Sequence, residues 1–209
     1  MKKILFLFLI LVSSGALADT AYDLYMSGNK AEGIAKWQDE ANNGNSSAKY
    51  VIGILYNDSA QLGLCEIQDF CVFKKFSNYR KAKKIFEELY NEESDPRAAY
   101  ALAEYYDDHP LIITNYKKAA QLYSFAAERG VPEAQYNIAN MYERGDGVKK
   151  DLIQSVRWYL QCNVSSLCAA GKEGIDDLIV QLTDEEFDYA KSLVDYEIED
   201  VDIRITVGR

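Results

Sequence analysis

The chain has 209 residues, with 23 Lys or Arg against 33 Asp or Glu, a formal net charge of −10 and a single histidine. So acidic a surface repels phosphate backbones and anionic lipid, which sets nucleic-acid binding aside. The length suits one elongated domain with a continuous core, and no low-complexity linker marks a second one.

The amino terminus reads MKKILFLFLILVSSGALAD, with Lys2 and Lys3 ahead of the apolar run Ile4 to Val12 and the small-residue stretch Ala16-Leu17-Ala18. This is the pattern of a cleaved secretory signal over residues 1–18. Nine apolar residues fall short of the roughly 20 that span a bilayer, and no cysteine follows them to carry a lipid. The expected mature chain starts at Asp19 and is periplasmic or secreted, with no membrane insertion after cleavage. It would hold 21 basic and 33 acidic residues, a net charge of −12.

Beyond the signal the chain repeats itself. Ala98, Tyr100, Ala103 and Tyr106 recur 36 positions later as Ala134, Tyr136, Ala139 and Tyr142. An earlier copy aligns without a gap at an offset of 86, where Trp37, Ala41, Gly44, Ala48, Tyr50, Gly53 and Tyr56 match Tyr123, Ala127, Gly130, Ala134, Tyr136, Ala139 and Tyr142. A fixed period of this size is the signature of a helical repeat array, whose neighbouring units bury one continuous core and present an extended surface to partners.

The clearest unit runs from Ala134 to Cys162. Ala134, Ile138, Met141 and Tyr142 fall on one helical face, and Gln135, Asn137 and Glu143 are expected to face elsewhere. Pro132 suits a first helical position, Gly145 and Gly147 let the backbone turn out, and Asp151 can cap the next helix, with Val156, Tyr159 and Leu160 inward. Working outward predicts helices near 20–27, 30–43, 46–57, 78–91, 95–107, 115–129, 132–144, 151–162, 167–181 and 184–194, about five antiparallel pairs in an all-α solenoid over residues 19–194. The three prolines, at 96, 110 and 132, fall at helix boundaries. Thr183 with Glu186 is a capping-box signal for the last helix. Residues 195–209 form a tail in which Val201, Ile203, Ile205 and Val207 alternate with Asp202, Arg204 and Thr206, the period of an extended segment, expected to cover the end of the stack.

Charge is uneven. Glu173 to Asp202 carries twelve acids and only Lys191 as a base, whereas Lys74, Lys75, Arg80, Lys81, Lys83 and Lys84 crowd into eleven residues. Solvated helix faces account for both.

Four cysteines, Cys65, Cys71, Cys162 and Cys168, follow a secretory signal, so disulfides are expected. Three pairings exist, and the two six-residue spacings favour Cys65 with Cys71 and Cys162 with Cys168. On an unbroken helix six residues rise about 9 Å, too far for a disulfide, so each pair demands a turn. The second pair falls at the turn between successive hairpins, where Ser166 replaces the glycine seen at Gly130. The first lies in an insertion at residues 58–77, because Tyr56 to Ala82 spans 26 residues where Tyr106 to Ala119 and Tyr142 to Ser155 span 13.

Ala126-Ala127, Gly130, Ala134, Gly145-Asp146-Gly147-Val148, Asp151 and Trp158-Tyr159 resemble the Sel-one-like (SLR) repeat, a relative of the tetratricopeptide repeat. The match is specific over residues 116–162, looser at 30–57 and 79–107, where the Gly-x-Gly loop is missing, and loosest after 163. The resemblance implies a right-handed stack of helix pairs that scaffolds protein complexes. For an exported bacterial member it implies an immunity protein that neutralises an antibacterial toxin, with an envelope adaptor or virulence-associated factor as the alternative and, behind both, an enzyme acting on cell-wall peptides or β-lactams. It also includes cysteine-rich members with a disulfide in each repeat, and this chain has too few cysteines for that pattern.

No serine-nucleophile motif, His-Glu-x-x-His or phosphate loop is present, so no enzyme activity, cofactor or metal is expected. His109, within Tyr105-Tyr106-Asp107-Asp108-His109-Pro110, reads as a helix C-terminal histidine. Trp37, Tyr56, Tyr106, Tyr123, Tyr142, Trp158 and Tyr159 are expected to pack between helices. Tyr22, Tyr25, Tyr79, Tyr90, Tyr105 and Tyr116 break the register. Of these Tyr79, Tyr105 and Tyr116, together with Phe70 and Phe73 from the insertion, are the candidates for contact with a protein partner, because aromatics are enriched at interface hot spots.

Overall fold

The computed structural model describes residues 18–57, 75–107, 113–163 and 170–194, and among them ten helices and no strand. They are α1 (Ala18–Met26), α2 (Lys30–Asn42), α3 (Ser46–Asn57), α4 (Lys75–Glu93), α5 (Pro96–Asp107), α6 (Tyr116–Ala127), α7 (Pro132–Arg144), α8 (Leu152–Asn163), α9 (Ala170–Ile179) and α10 (Asp184–Ser192). The expected signal core, most of the insertion with Cys65, Phe70, Cys71 and Phe73, His109, Cys168 and the tail at 195–209 lie outside the described residues. Helix α4 starts at Lys75, three residues before the expected position, and α9 ends at Ile179, two residues before the expected end. Both differences fall where no capping residue or proline marks a boundary.

Local chemistry sets most other ends. Asn115 and Asp151, one period apart, accept from the backbone N–H of Lys118 (3.1 Å) and Gln154 (3.0 Å), and Asn45 does the same for Ala48 at 3.1 Å. The side chain thereby satisfies an amide that an α-helix leaves without a partner. The N–H groups of Asn115 and Asp151 donate back to the carbonyls of Tyr106 (2.7 Å) and Tyr142 (2.9 Å), so the same bond recurs in two successive repeats. Pro132 stands in the first turn of α7, and Gly145 ends that helix in a left-handed conformation at φ 85°. Thr183 and Glu186 form the reciprocal capping box at α10. Asp95 accepts from the Arg97 backbone at 2.8 Å and holds its guanidinium through both carboxylate oxygens.

The chain divides into two compact units, at Ser94 and Asp95. In the first, α1 packs on α2, α2 on α3 and α3 on α4, around Ala21, Tyr25, Ile34, Trp37, Ala48, Val51, Ile52 and Leu55. In the second, α5 through α8 pack in sequence, and both α9 and α10 pack on α8.

One aromatic contact recurs inside the hairpins. Tyr25 meets Trp37 (5.5 Å between ring centroids), Tyr50 meets Phe86 (5.6 Å), Tyr100 meets Tyr123 (5.9 Å) and Tyr136 meets Tyr159 (5.6 Å), all tilted by 46° to 58°. Such tilted pairs contribute about 0.5–1.5 kcal/mol each beyond the area they bury. They fit because the neighbouring positions are small. Ala103 and Ala139 are fully buried, and at the corresponding Gly53 an added Cβ would stand 2.6 Å from the Phe86 ring.

Trp158 is 4% exposed, with the Arg157 guanidinium 4.4 Å from its ring. Trp158→Ala is therefore expected to lower the unfolding free energy by about 3–5 kcal/mol in urea denaturation, against a loss near zero for a solvent-facing ring.

Candidate interaction surface

The periodic aromatics lie mainly inside. Trp37, Tyr123 and Tyr159 are each 1% exposed, while Tyr56, Tyr106 and Tyr142 are half-buried. Lys81 covers the Tyr56 ring at 5.0 Å and Lys118 that of Tyr106 at 4.3 Å.

Two expectations need correction. Tyr105, expected as a partner contact, is 2% exposed. It breaks the tyrosine register but not the helical one: it stands three, four and seven residues after the buried Leu102, Ala101 and Ala98, on the inward stripe of α5. Gln135, expected to face elsewhere, is buried because its amide donates to the Ala127 carbonyl at 3.1 Å, which supplies a partner to the open end of α6. Tyr79 is half-buried and Tyr116 is exposed. Cys162 is fully buried in the last turn of α8, its Sγ 3.1 Å from the Pro132 carbonyl oxygen.

Several carboxylates serve as acceptors for packed tyrosines. The hydroxyl of Tyr123 donates to Asp107 at 3.4 Å and, one period on, that of Tyr159 donates to Glu143 at 3.2 Å. Tyr100 donates to Glu104 at 2.9 Å. Burial, reinforced by these carboxylates, pushes all three phenols well above their ordinary value of 10.0. The pairs therefore hold neutral phenols in place. They do not form an acid and base set poised near neutrality. Among the described residues no cluster of His, Cys, Asp and Glu could hold a metal ion, and no helix is long and apolar enough to cross a membrane.

The exposed side of α6 is different. Before it Ile113 is 92% exposed, and its first residue, Tyr116, is 44% exposed. Along it, Lys117, Ala120, Gln121, Phe125 and Glu128 line an open groove of about 360 Å³ whose far wall is Gly147 and Val148. Gly147 makes this wall: its φ is +70°, and a Cβ there would overlap the Tyr116 carbonyl oxygen, so only glycine lets the α7–α8 turn lie against the start of α6. Arg129 stacks 3.6 Å from the Phe125 ring at one end, and Lys149 and Lys150 follow Val148 at the other, both exposed. The turn glycines were readable in the sequence, but the groove was not, since it depends on how closely that turn approaches α6.

The period, the paired caps and the recurring ring contact together describe one repeat built at least twice, and the Sel1 repeat family matches residues 96–131 and 132–161. The chain carries two Sel1 repeats. No curated protein matches it. Among solved structures it is similar to c5321, a protective antigen present in uropathogenic Escherichia coli strains displaying an SLR fold (TM-score 0.65, 20% identity, 84% of this chain and 36% of that one). The chain thus spans little more than a third of that protein. It is also similar to a Sel1 repeat protein from Oxalobacter formigenes (TM-score 0.51, 22% identity, 69% of this chain and 97% of that one). At these identities the likeness establishes the fold.

The raised phenols give a pH dependence with a fixed sign. An unfolded tyrosine releases its proton near pH 10, whereas buried Tyr123 and Tyr159 keep theirs. Above that pH the unfolded chain binds fewer protons, and stability falls as pH rises. With Tyr100 behaving in the same way, the expected slope from the three residues is up to about 4 kcal/mol per pH unit, with Tyr123→Phe removing roughly a third, read from urea midpoints between pH 9 and about 11.5.

Proposed function

We propose that the chain is an exported protein-binding module that holds a protein partner on the out-of-register positions of its Sel1 repeats. The observation that carries this reading is the pair of Sel1 repeats, a fold generally used for protein–protein interaction, whose in-register residues pack against one another. The remaining exposed positions are where a partner can be met.

Export is supported by residues 1–18 and by where the core begins. Among the residues whose burial is described the core begins at Ala21, just after the expected cleavage site. The disulfide pairing proposed for an oxidising compartment has similar support. Cys65 and Cys71 lie in the sequence between α3 and α4, and Cys162 ends α8 while Cys168 precedes α9, so neither pair falls within a single described helix.

In its more specific form the partner is an antibacterial toxin that the chain occludes as an immunity protein. Isolation of the tagged chain from periplasm with a single stoichiometric toxin is the expected result. A set of envelope proteins would instead make it an adaptor, and recovery of the chain alone under native conditions would count against a binding module. In the same preparation, intact-mass measurement is expected to give a chain starting at Asp19. Unreduced peptide mapping should show Cys65–Cys71 and Cys162–Cys168 with no free thiol; a chain retaining Met1, or four free thiols, would sink the export reading.

A further inference from the structure

We infer that the groove between α6 and the Gly145–Lys150 turn takes an extended partner segment in which carboxylates alternate with aliphatic or aromatic side chains. This rests on the binding-module reading and specifies its ligand.

Chemistry and placement carry the inference. Ala120, Phe125 and Val148 give the groove an apolar floor, large enough at about 360 Å³ for side chains rather than a whole domain. Its edges are cationic. Lys117 lies in the lining, Arg129 sits over Phe125, and Lys149 and Lys150 continue from Val148, against Glu128 as the one acid in the lining. Lys117, Lys149 and Lys150 are exposed and carry no ion pair among the described residues, in contrast to Lys49, Lys83 and Lys84, each of which is tied to a glutamate of α4. With Asp146 and Asp151 of the same turn counted beside Glu128, four bases stand against three acids, a local excess of base in a chain of net charge −10. Charges farther off than about 8 Å are screened at physiological salt, so a docked segment experiences the lysines and not the net charge. Apolar contact provides the affinity, and the lysines select acidic neighbours and set register.

The test uses the full mature chain and two fluorescent peptides of about ten residues, one alternating Glu or Asp with Leu, Ile and Phe, the other with every acid replaced by lysine. The acidic peptide is expected to bind at least about ten-fold more tightly, more weakly at higher salt, and to shift the amide resonances of Lys117, Gln121, Phe125 and Val148. Lys117→Glu combined with Lys149→Glu, both at exposed sites, should keep the melting temperature and lose about ten-fold in affinity. Equal binding of the two peptides, shifts confined to other surfaces, or a double variant that binds as well as the parent would overturn the assignment. Deleting residues 195–209 should leave the affinity unchanged. A ten-fold gain on deletion would show that the chain's own acidic tail fills the groove, and would also overturn it. If a partner co-purifies with the chain but the acidic peptide fails, the groove assignment falls and the binding-module reading stands.

Discussion

The regularity of α1 through α8 depends on the contact of two aromatic rings inside each of their hairpins. The four pairs join α1 to α2, α3 to α4, α5 to α6 and α7 to α8 at nearly one separation, 5.5 to 5.9 Å. A ring from each helix at that distance fixes how far apart the helices stand and how they are turned. It also dictates the small residues around it, since Gly53 leaves no room for even a methyl group beside Phe86. A sequence that keeps these rings and small residues in period keeps the hairpin, and the intervening surface is then free to vary.

The clasp is polar at its rim. Tyr123 and Tyr159 place their hydroxyls against Asp107 and Glu143, so an acid recurs with each phenol at the repeat period. Burying a phenol needs a partner for its O–H, and a carboxylate at the edge of the helix meets that need while remaining hydrated on its other side. Part of the chain's acidity is thus structural, which is why its many carboxylates gave no catalytic pair.

The helices were legible because period and caps agreed. Pro132, Gly145, Asp151 and Thr183 each mark an end through backbone geometry or a single hydrogen bond, both local properties. Side-chain direction was less legible where two periods compete. Tyr105 departs from the 36-residue pattern yet keeps the 3.6-residue one, and the helical period governs burial. Gln135 is polar by composition but turns inward to the Ala127 carbonyl, which also accepts from the Gly130 N–H, a contact created only when α6 and α7 come together. The groove is the least local feature of all, arising from contact between a turn and a helix start about thirty residues apart.

Only glycine permits that contact, and one period before Gly147 the sequence has Leu111, so the residue that shapes the groove wall is not part of the repeating pattern. The in-register rings and alanines repeat because packing needs them in every hairpin. A glycine that serves a single turn answers to a different requirement, and the surface it opens sets an apolar floor beside lysines that carry no ion pair among the described residues. Specific recognition on a repeat scaffold needs such a departure, because a surface repeated identically along the stack would bind in several registers at once.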